Sequence, residues 1–238
     1  MTSGLPRLTL TTQLDSAAWL RDRLLPWPTP EGTVVVGSVV PTGFAAYARL
    51  LHPAHDHDGN AVRWSTIAAM TARTVHPEME WERIVDPRTA ADPNTPREFY
   101  PPEQGSLSAA DCAELAALLA SFTEAPHECW FCLWAGFGDL PVELGRSPQV
   151  QLPGRDYHLY SGSLEAIDSF DYGFGFHSPN LWWPDDRRWC VGTEVDLMST
   201  YIGGSEECIQ ALIDSNFEVI RTSIDARVDH KADVLNTD

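Results

Sequence analysis

The run ECWFCLWAGF at residues 128–137 constrains this chain more than any other segment. Successive side chains of a strand point to opposite faces, and here both faces are apolar. Such a segment fits as a central strand of a sheet covered on both sides. Residues 33–40, TVVVGSVV, are β-branched and apolar in the same two-sided way and predict a second buried strand.

Helices read from caps and periodicity. Ser108 caps a helix over residues 108–122, with Asp111 three residues on and Leu107 and Cys112 at staple positions. Leu115, Leu118, Leu119 and Phe122 form its apolar stripe. A shorter helix over 14–25 is capped by Asp15 or Ser16, carries Leu20 and Leu24 on one face and stops at Pro26. Residues 64–72 read as helix. Ser205 caps another whose first turn holds Glu206 and Glu207, favourable against the helix dipole.

Residues 44–52 fit a strand or a short helix, and 156–160 and 217–224 read as strands. The best-defined strand is 188–198. Trp189, Val191, Thr193, Val195 and Leu197 face one way, and Cys190, Gly192, Glu194, Asp196 and Met198 the other. Residues 52–60 are a polar loop, and the proline- and charge-rich 76–100 form an irregular excursion, a lid or an ordered loop. Helices scattered among strands, without βαβ alternation, predict an α+β fold. It is a single domain with a mixed, mostly antiparallel sheet and flanking helices. The expected layout is an N-terminal helix and proline-rich connector at 1–32, the domain at 33–224 and a frayed tail at 225–238.

With 43% hydrophobic and 21% charged residues, the 238-residue chain has a globular composition and buries a substantial core. Its net charge of −18 repels phosphate backbones and anionic membranes, and its longest basic cluster is Arg187-Arg188. Nucleic acid and membrane are therefore excluded as expected partners, and a basic protein surface is favoured. Five cysteines, an odd count, do not suit a secreted disulfide framework. No basic-apolar leader opens the chain and no apolar run approaches the ~18 residues of a membrane span. The expected location is cytoplasmic.

Four groups of residues bear on chemistry. Glu194 and Asp196, two apart in a strand, would project from one face roughly 7 Å apart. Two such carboxylates can divide acid and base roles or share a cation, and they can equally form ordinary salt bridges to Arg187 or Arg221. His52, His55 and His57, with Asp56 and Asp58, are the densest set of metal-ligating side chains, in a loop without a helical HxxxH frame. Cys129 and Cys132 have knuckle spacing, but in a strand they point to opposite faces and read as buried thiols. Gly203-Gly204-Ser205 could offer free N–H groups to a phosphate, although Glu206 and Glu207 oppose one. Trp182 and Trp183 precede a Pro184-Asp185-Asp186 turn, where at least one indole is expected at the surface for a partner or a sugar.

The segments PTGFAAYARLLHPA (41–54), CWFCLWAGFG (129–138) and SPNLWWPDDRRWCVGTEVDLMSTYIGGS (178–205) resemble those of a bacterial family of uncharacterised proteins. The resemblance implies one unit over roughly residues 33–224 and brings no activity and no catalytic residue with it. The leading expectation is a non-catalytic acidic module, immunity-like or adaptor, that holds a basic protein through Trp182, Trp183, Asp185 and Asp186. The alternative is a metal-assisted hydrolase with Glu194 and Asp196 catalytic and a divalent metal on His52, His55 and His57. A third reading is carbohydrate or small-ligand binding by the tryptophan loop. No cofactor other than that metal is expected.

Overall fold

The computed structural model describes residues 7–85, 98–173 and 175–237. Residues 86–97 of the irregular excursion lie outside them. The fold is a single α+β domain. Strand β1 (Leu8–Leu10) and helix α1 (Ala18–Arg21) precede β2 (Ala46–Leu51) and the small hairpin β3 (Ala54–His55)–β4 (Ala61–Val62). Helices α2 (Trp64–Met70), α3 (Trp81–Ile84) and α4 (Ala109–Leu119) follow. Strands β5 (Cys129–Trp134), β6 (Val150–Gln151), β7 (Asp156–Gly162), β8 (Leu181–Pro184), β9 (Cys190–Thr193) and β10 (Ser199–Gly204) come next. Helix α5 (Glu206–Ile213) and β11 (Val219–Thr222) close the order. The main sheet runs β1-β7-β5-β8-β9-β10-β2-β11, with β6 on β7 and every pairing antiparallel.

The two-sided apolar strand behaves as its pattern requires. β5 is central, paired with β7 and β8. Cys129, Phe131 and Leu133 enter one core layer under α4, α5 and the 3-10 helix Leu164–Ser169. Trp130, Cys132 and Trp134 face a second layer, built with Trp19, Leu20, Leu24 and Val36 of the N-terminal segment. A third cluster joins Leu51, Trp64, Ile67, Met79 and Trp81 around α2 and α3. Two of the three expected caps form: Ser108 accepts from Asp111 N and Ser205 from Cys208 N, whereas neither Asp15 nor Ser16 caps the N-terminal helix, which begins as a 3-10 turn after Gln13.

Four expectations are corrected. Residues 35–40 are buried, and Thr33 and Val34 half-buried, but the segment is not a strand. Val36–Ser38 is a 3-10 turn, and the N–H groups of Val36 and Gly37 bond to Ala226 O and Ile224 O. β-branched content here serves burial, and Gly37 lets Leu25 approach to within 2.8 Å of where a Cβ would sit. The segment 188–198 is not one strand: β9 ends at Thr193 and β10 begins at Ser199. Residues 7–32 are no separate unit, since β1 pairs with β7 and Trp19 packs edge-on against Trp183 at 5.8 Å. The C-terminal segment is docked. Val228, Ala232, Asp233 and Asn236 are buried, and Asp233 accepts from His76 Nε2, Glu80 N and Asn236 N.

Candidate functional site

Glu194 and Asp196 do come together, but not on a strand face. They sit in the turn that joins β9 to β10, where Leu197 N bonds to Glu194 O at 3.0 Å. The guanidinium of Arg155 bridges them. Its Nε donates to Glu194 Oε1 and its Nη2 to Asp196 Oδ2 at 2.6 Å. The other Glu194 oxygen accepts from Asp196 N at 2.6 Å. Gln104 Nε2 holds Asp196 O at 2.7 Å, and Gly105 N holds Leu197 O at 2.9 Å. Gly105 has φ +76°, and a Cβ there would lie 2.5 Å from Val195 O, so only glycine admits this contact. Arg155 also lies 4.9 Å from the centre of the Trp134 ring. The arrangement is a charge-assisted clamp on a hairpin. The cavity beside Glu194 measures about 20 Å³, room for a water and not for a substrate.

The tryptophan loop is a strand. Trp182 and Trp183 occupy β8 and are fully buried, one in each core layer. Strand alternation makes this unavoidable for neighbouring residues in a sheet covered on both sides. Trp182 meets Trp189 edge-on at 5.3 Å, and Trp183 meets Trp19. The expected surface role for these indoles is therefore withdrawn. Asp185 and Asp186 are exposed but employed locally. Asp185 Oδ1 accepts from Trp130 Nε1 at 2.9 Å, and Asp186 Oδ2 accepts from Thr123 Oγ1 and Glu124 N. Pro184 sits at the first position of the turn, its carbonyl accepting from Arg187 N at 2.8 Å.

The histidines do not converge. His52 is buried: its Nδ1 lies 2.7 Å from Glu103 O and its Nε2 2.9 Å from Thr200 Oγ1. The carbonyl can only accept, so Nδ1 carries the proton and Nε2 accepts from Thr200, whose hydroxyl lies 2.8 Å from that of Thr193. Burial pushes the His52 pKa down to about 4, opposed by the Glu103 carbonyl and Asp111. His55 lies in β3 and exchanges backbone bonds with Tyr100; His57 is exposed, edge-on to the Tyr100 ring at 5.6 Å. Asp56 folds back on its own loop through Asp58 N and Asn60 N. Among the described residues no group of three His, Cys, Asp or Glu side chains is arranged to hold a metal ion.

Cys129 and Cys132 enter opposite layers, and all five thiols are buried; burial raises the pKa of Cys129 to about 12. Gly203 and Gly204 end β10, with the Phe44 ring 2.4 Å from a Cβ built at Gly203. Among the described residues one Ser–His contact is present, Ser147 Oγ to His158 Nδ1 at 3.0 Å. The hydroxyl donates to Leu144 O at 2.7 Å, so the imidazole acts as donor toward it and cannot serve as its base. His177 Nε2 bonds Asp139 Oδ2 at 2.8 Å and stacks on Phe137 at 4.2 Å, which holds the ring as a structural dyad.

What the sequence reading missed lies on the outer side of α4. Ala113, Ala116, Ala117 and Ala120 form one wall of an apolar groove of about 430 Å³. Leu164 and Ile167 of the 3-10 helix form the other wall, and Pro126 and His127 close one end. One exposed acid, Glu165, lines it. Three more exposed acids are close in sequence: Glu114, which follows Ala113 and lines a separate cleft along α4, and Glu124 and Glu128 on either side of Pro126–His127. None of these four carboxylates has a hydrogen-bond or ion-pair partner among the described residues. Asp168, further along the same 3-10 helix, is paired with Arg7. The available signal was the alanine spacing i, i+3, i+4, i+7, opposite the leucine stripe and without a charge. No family model, no curated protein and no solved structure matches this chain.

Proposed function

We propose that this protein is a non-catalytic acidic module that binds a basic protein partner. The observation that carries this reading is the apolar groove between α4 and the Leu164–Ser169 helix, lined by exposed Glu165, in a chain of net charge −18. An apolar floor inside a charged rim is the anatomy of a protein interface. An acidic rim selects a basic partner and speeds its encounter. The carboxylates first considered for catalysis are engaged elsewhere, Glu194 and Asp196 on Arg155. The interface lies on α4 instead of on Trp182, Trp183, Asp185 and Asp186.

Binding of a panel of purified basic proteins and polylysine, measured calorimetrically at 20 and 300 mM salt, tests the reading. Saturable 1:1 binding to a basic protein that weakens with salt supports it. Absence of binding to every basic probe at low salt removes it.

A further inference from the structure

We infer that the C-terminal segment from Asp229 to Thr237 is a latch, held closed on the 73–80 loop while Glu80 is protonated and loosened when Glu80 ionises. The device is separate from the groove on α4 and does not depend on a binding partner.

The segment is held by side chains. Up to Val228 the main chain is tied to residues 34–37: Val36 N bonds to Ala226 O, Gly37 N to Ile224 O and Val228 N to Val34 O, each at 2.9 Å. Beyond Val228, no bond between main chains reaches another element among the described residues. Two anchors take over. Asp233, whose side chain is fully enclosed, accepts from His76 Nε2 at 2.8 Å, Glu80 N at 3.1 Å, and Asn236 N and Nδ2 at 2.9 Å. Asn236 Oδ1 accepts from Thr74 N at 2.8 Å, and its Nδ2 donates to Thr74 O at 3.0 Å. Apolar burial adds little. Val228 and Ala232 are covered, but Val234 and Leu235, between the anchors, are 63% and 61% exposed. A contact that rests on polar bonds responds to charge.

Charge is crowded at this contact. The loop brings Glu78 and Glu80, and the latch brings Asp229 and Asp233. Glu78 Oε1 accepts from Arg227 N at 2.7 Å. Asp229 takes both arms of the Arg227 guanidinium and Lys231 N. Each oxygen of Asp233 already accepts two bonds, so it has no acceptor site left. Glu80 is half-buried, and its carboxyl has no hydrogen-bond donor among the described residues. The charged groups that act on it are Arg49 of β2 and Asp233 and Asp229 of the latch, with the Tyr201 phenol of β10 also within its field. Arg49 does not neutralise it through an ion pair. Its Nε donates to Ser199 Oγ, and its Nη1 donates to Pro77 O and Met79 O.

An ionised Glu80 therefore sits without a donor against two latch carboxylates, whereas a protonated one is neutral. Burial, opposed by Arg49 and reinforced by Asp233 and Asp229, pushes its pKa up to about 7. Release of the latch returns the carboxyl to water and removes both neighbours, which lowers the pKa toward 4.5. The closed state then binds more protons between pH 4.5 and 7, and closure weakens as pH rises through that window, by up to about tenfold per unit. At Asp229 and Asp233 burial is outweighed by hydrogen bonds, led by Arg227 and Asn236, and both pKa values lie below 3.8. Their contribution to closure is complete above pH 3.8 and constant across the window.

Amide hydrogen exchange of the isotope-labelled full chain at pH 5, 6, 7 and 8, divided by intrinsic rates, tests the latch. The reporters are the amides of Thr74, Glu80 and Asn236, which bond to the anchor side chains. They are expected to be less protected than the amides of β5 at every pH, which marks a local opening. Their protection should fall about tenfold or more from pH 5 to 8. Glu80→Gln should abolish that fall, and His76→Gln should keep it. Unchanged β5 resonances show that each variant is folded. Reporters as protected as β5 would mean that the segment opens only on global unfolding and would overturn the inference. So would protection independent of pH in the natural chain, a fall that persists in Glu80→Gln, or one that disappears in His76→Gln.

Discussion

His52→Asn is the perturbation that most directly tests how the interior is built. The wild-type imidazole is fully enclosed, donating from Nδ1 to Glu103 O and accepting at Nε2 from Thr200. Asparagine keeps a donor for the carbonyl but cannot reach Thr200, and it does not fill the ring's volume. One lost hydrogen bond and a partial cavity cost about 2–3 kcal/mol at pH 8. At that pH the imidazole is neutral in both folded and unfolded chains, so titration contributes nothing. Below pH 6.5 the unfolded chain takes up a proton that the folded chain refuses until about pH 4. The unfolded state then binds more protons, and wild-type stability falls as pH falls through that window. The loss approaches about 3 kcal/mol at 1.36 kcal/mol per pH unit. Asparagine does not titrate, so the gap between wild type and variant should close to near zero by pH 4.5. Urea unfolding followed by tryptophan fluorescence at pH 8, 6.5, 5.5 and 4.5 measures it. Subtracting the two curves cancels every other titrating group. A gap that stays constant from pH 8 to 4.5 would refute a buried neutral His52.

Further outcomes follow from the other buried polar groups. Burial raises the Glu80 pKa to about 7, with Asp233 and Asp229 adding to it and Arg49 opposing. The folded chain keeps a proton that the unfolded chain releases from about pH 4.5, so this site costs stability as pH rises toward 7. Glu80→Gln should therefore raise stability by about 2–3 kcal/mol at pH 8 and by nothing at pH 4, read as melting temperature at both. Arg155→Met leaves the Glu194 carboxylate buried without its cation and should cost about 2–3 kcal/mol in chemical denaturation, much of it recovered by adding Glu194→Gln. Truncation after Arg227 removes buried Val228, Ala232, Asp233 and Asn236 and should cost at least about 3 kcal/mol, with faster proteolysis around residues 73–80. Trp183→Ala should destabilise by about 3–5 kcal/mol while affinity of the folded fraction for a basic protein stays unchanged, because this indole touches core and not partner.

The elements that were legible in the sequence are those with a local cause. Ser108 and Ser205 cap because their hydroxyls need only a backbone N–H three residues away. The two-sided apolar pattern of β5 identified a central strand because alternation is a property of the strand itself. Failures came where a distant segment supplies the bond. Residues 33–40 have strand composition, but their N–H groups find carbonyls at Ile224 and Ala226, and no ladder is needed. The break at Glu194–Met198 depends on Arg155, Gln104 and Gly105, all remote in sequence. The polar tail looked frayed because its partners, His76 and Glu80 N, lie over 150 residues away. Trp182 and Trp183 looked like surface residues beside a turn. Two adjacent large apolar residues are instead what a strand between two core layers requires.

The same contrast explains why the candidate site is easily passed over in sequence. Residue types that usually announce function, paired acids, clustered histidines and doubled tryptophans, are used here to tie remote segments together. Glu194 and Asp196 hold Arg155, Asp186 caps the Thr123–Glu124 loop, and His52 bridges Glu103 to Thr200. The surface left unpaired is chemically plain, alanine methyls with Glu165 beside them. That division has a measurable consequence. Acids bound into structure should not be removable without loss of stability, whereas Glu114, Glu124, Glu128 and Glu165 have no partner among the described residues to lose. In a chain of net charge −18, replacing those four with glutamine relieves self-repulsion, so stability should hold or rise slightly. Binding to a basic partner should fall in the same variant, with a shallower salt dependence. Unaltered affinity in a fully stable quadruple variant would mean that these carboxylates do not select the partner.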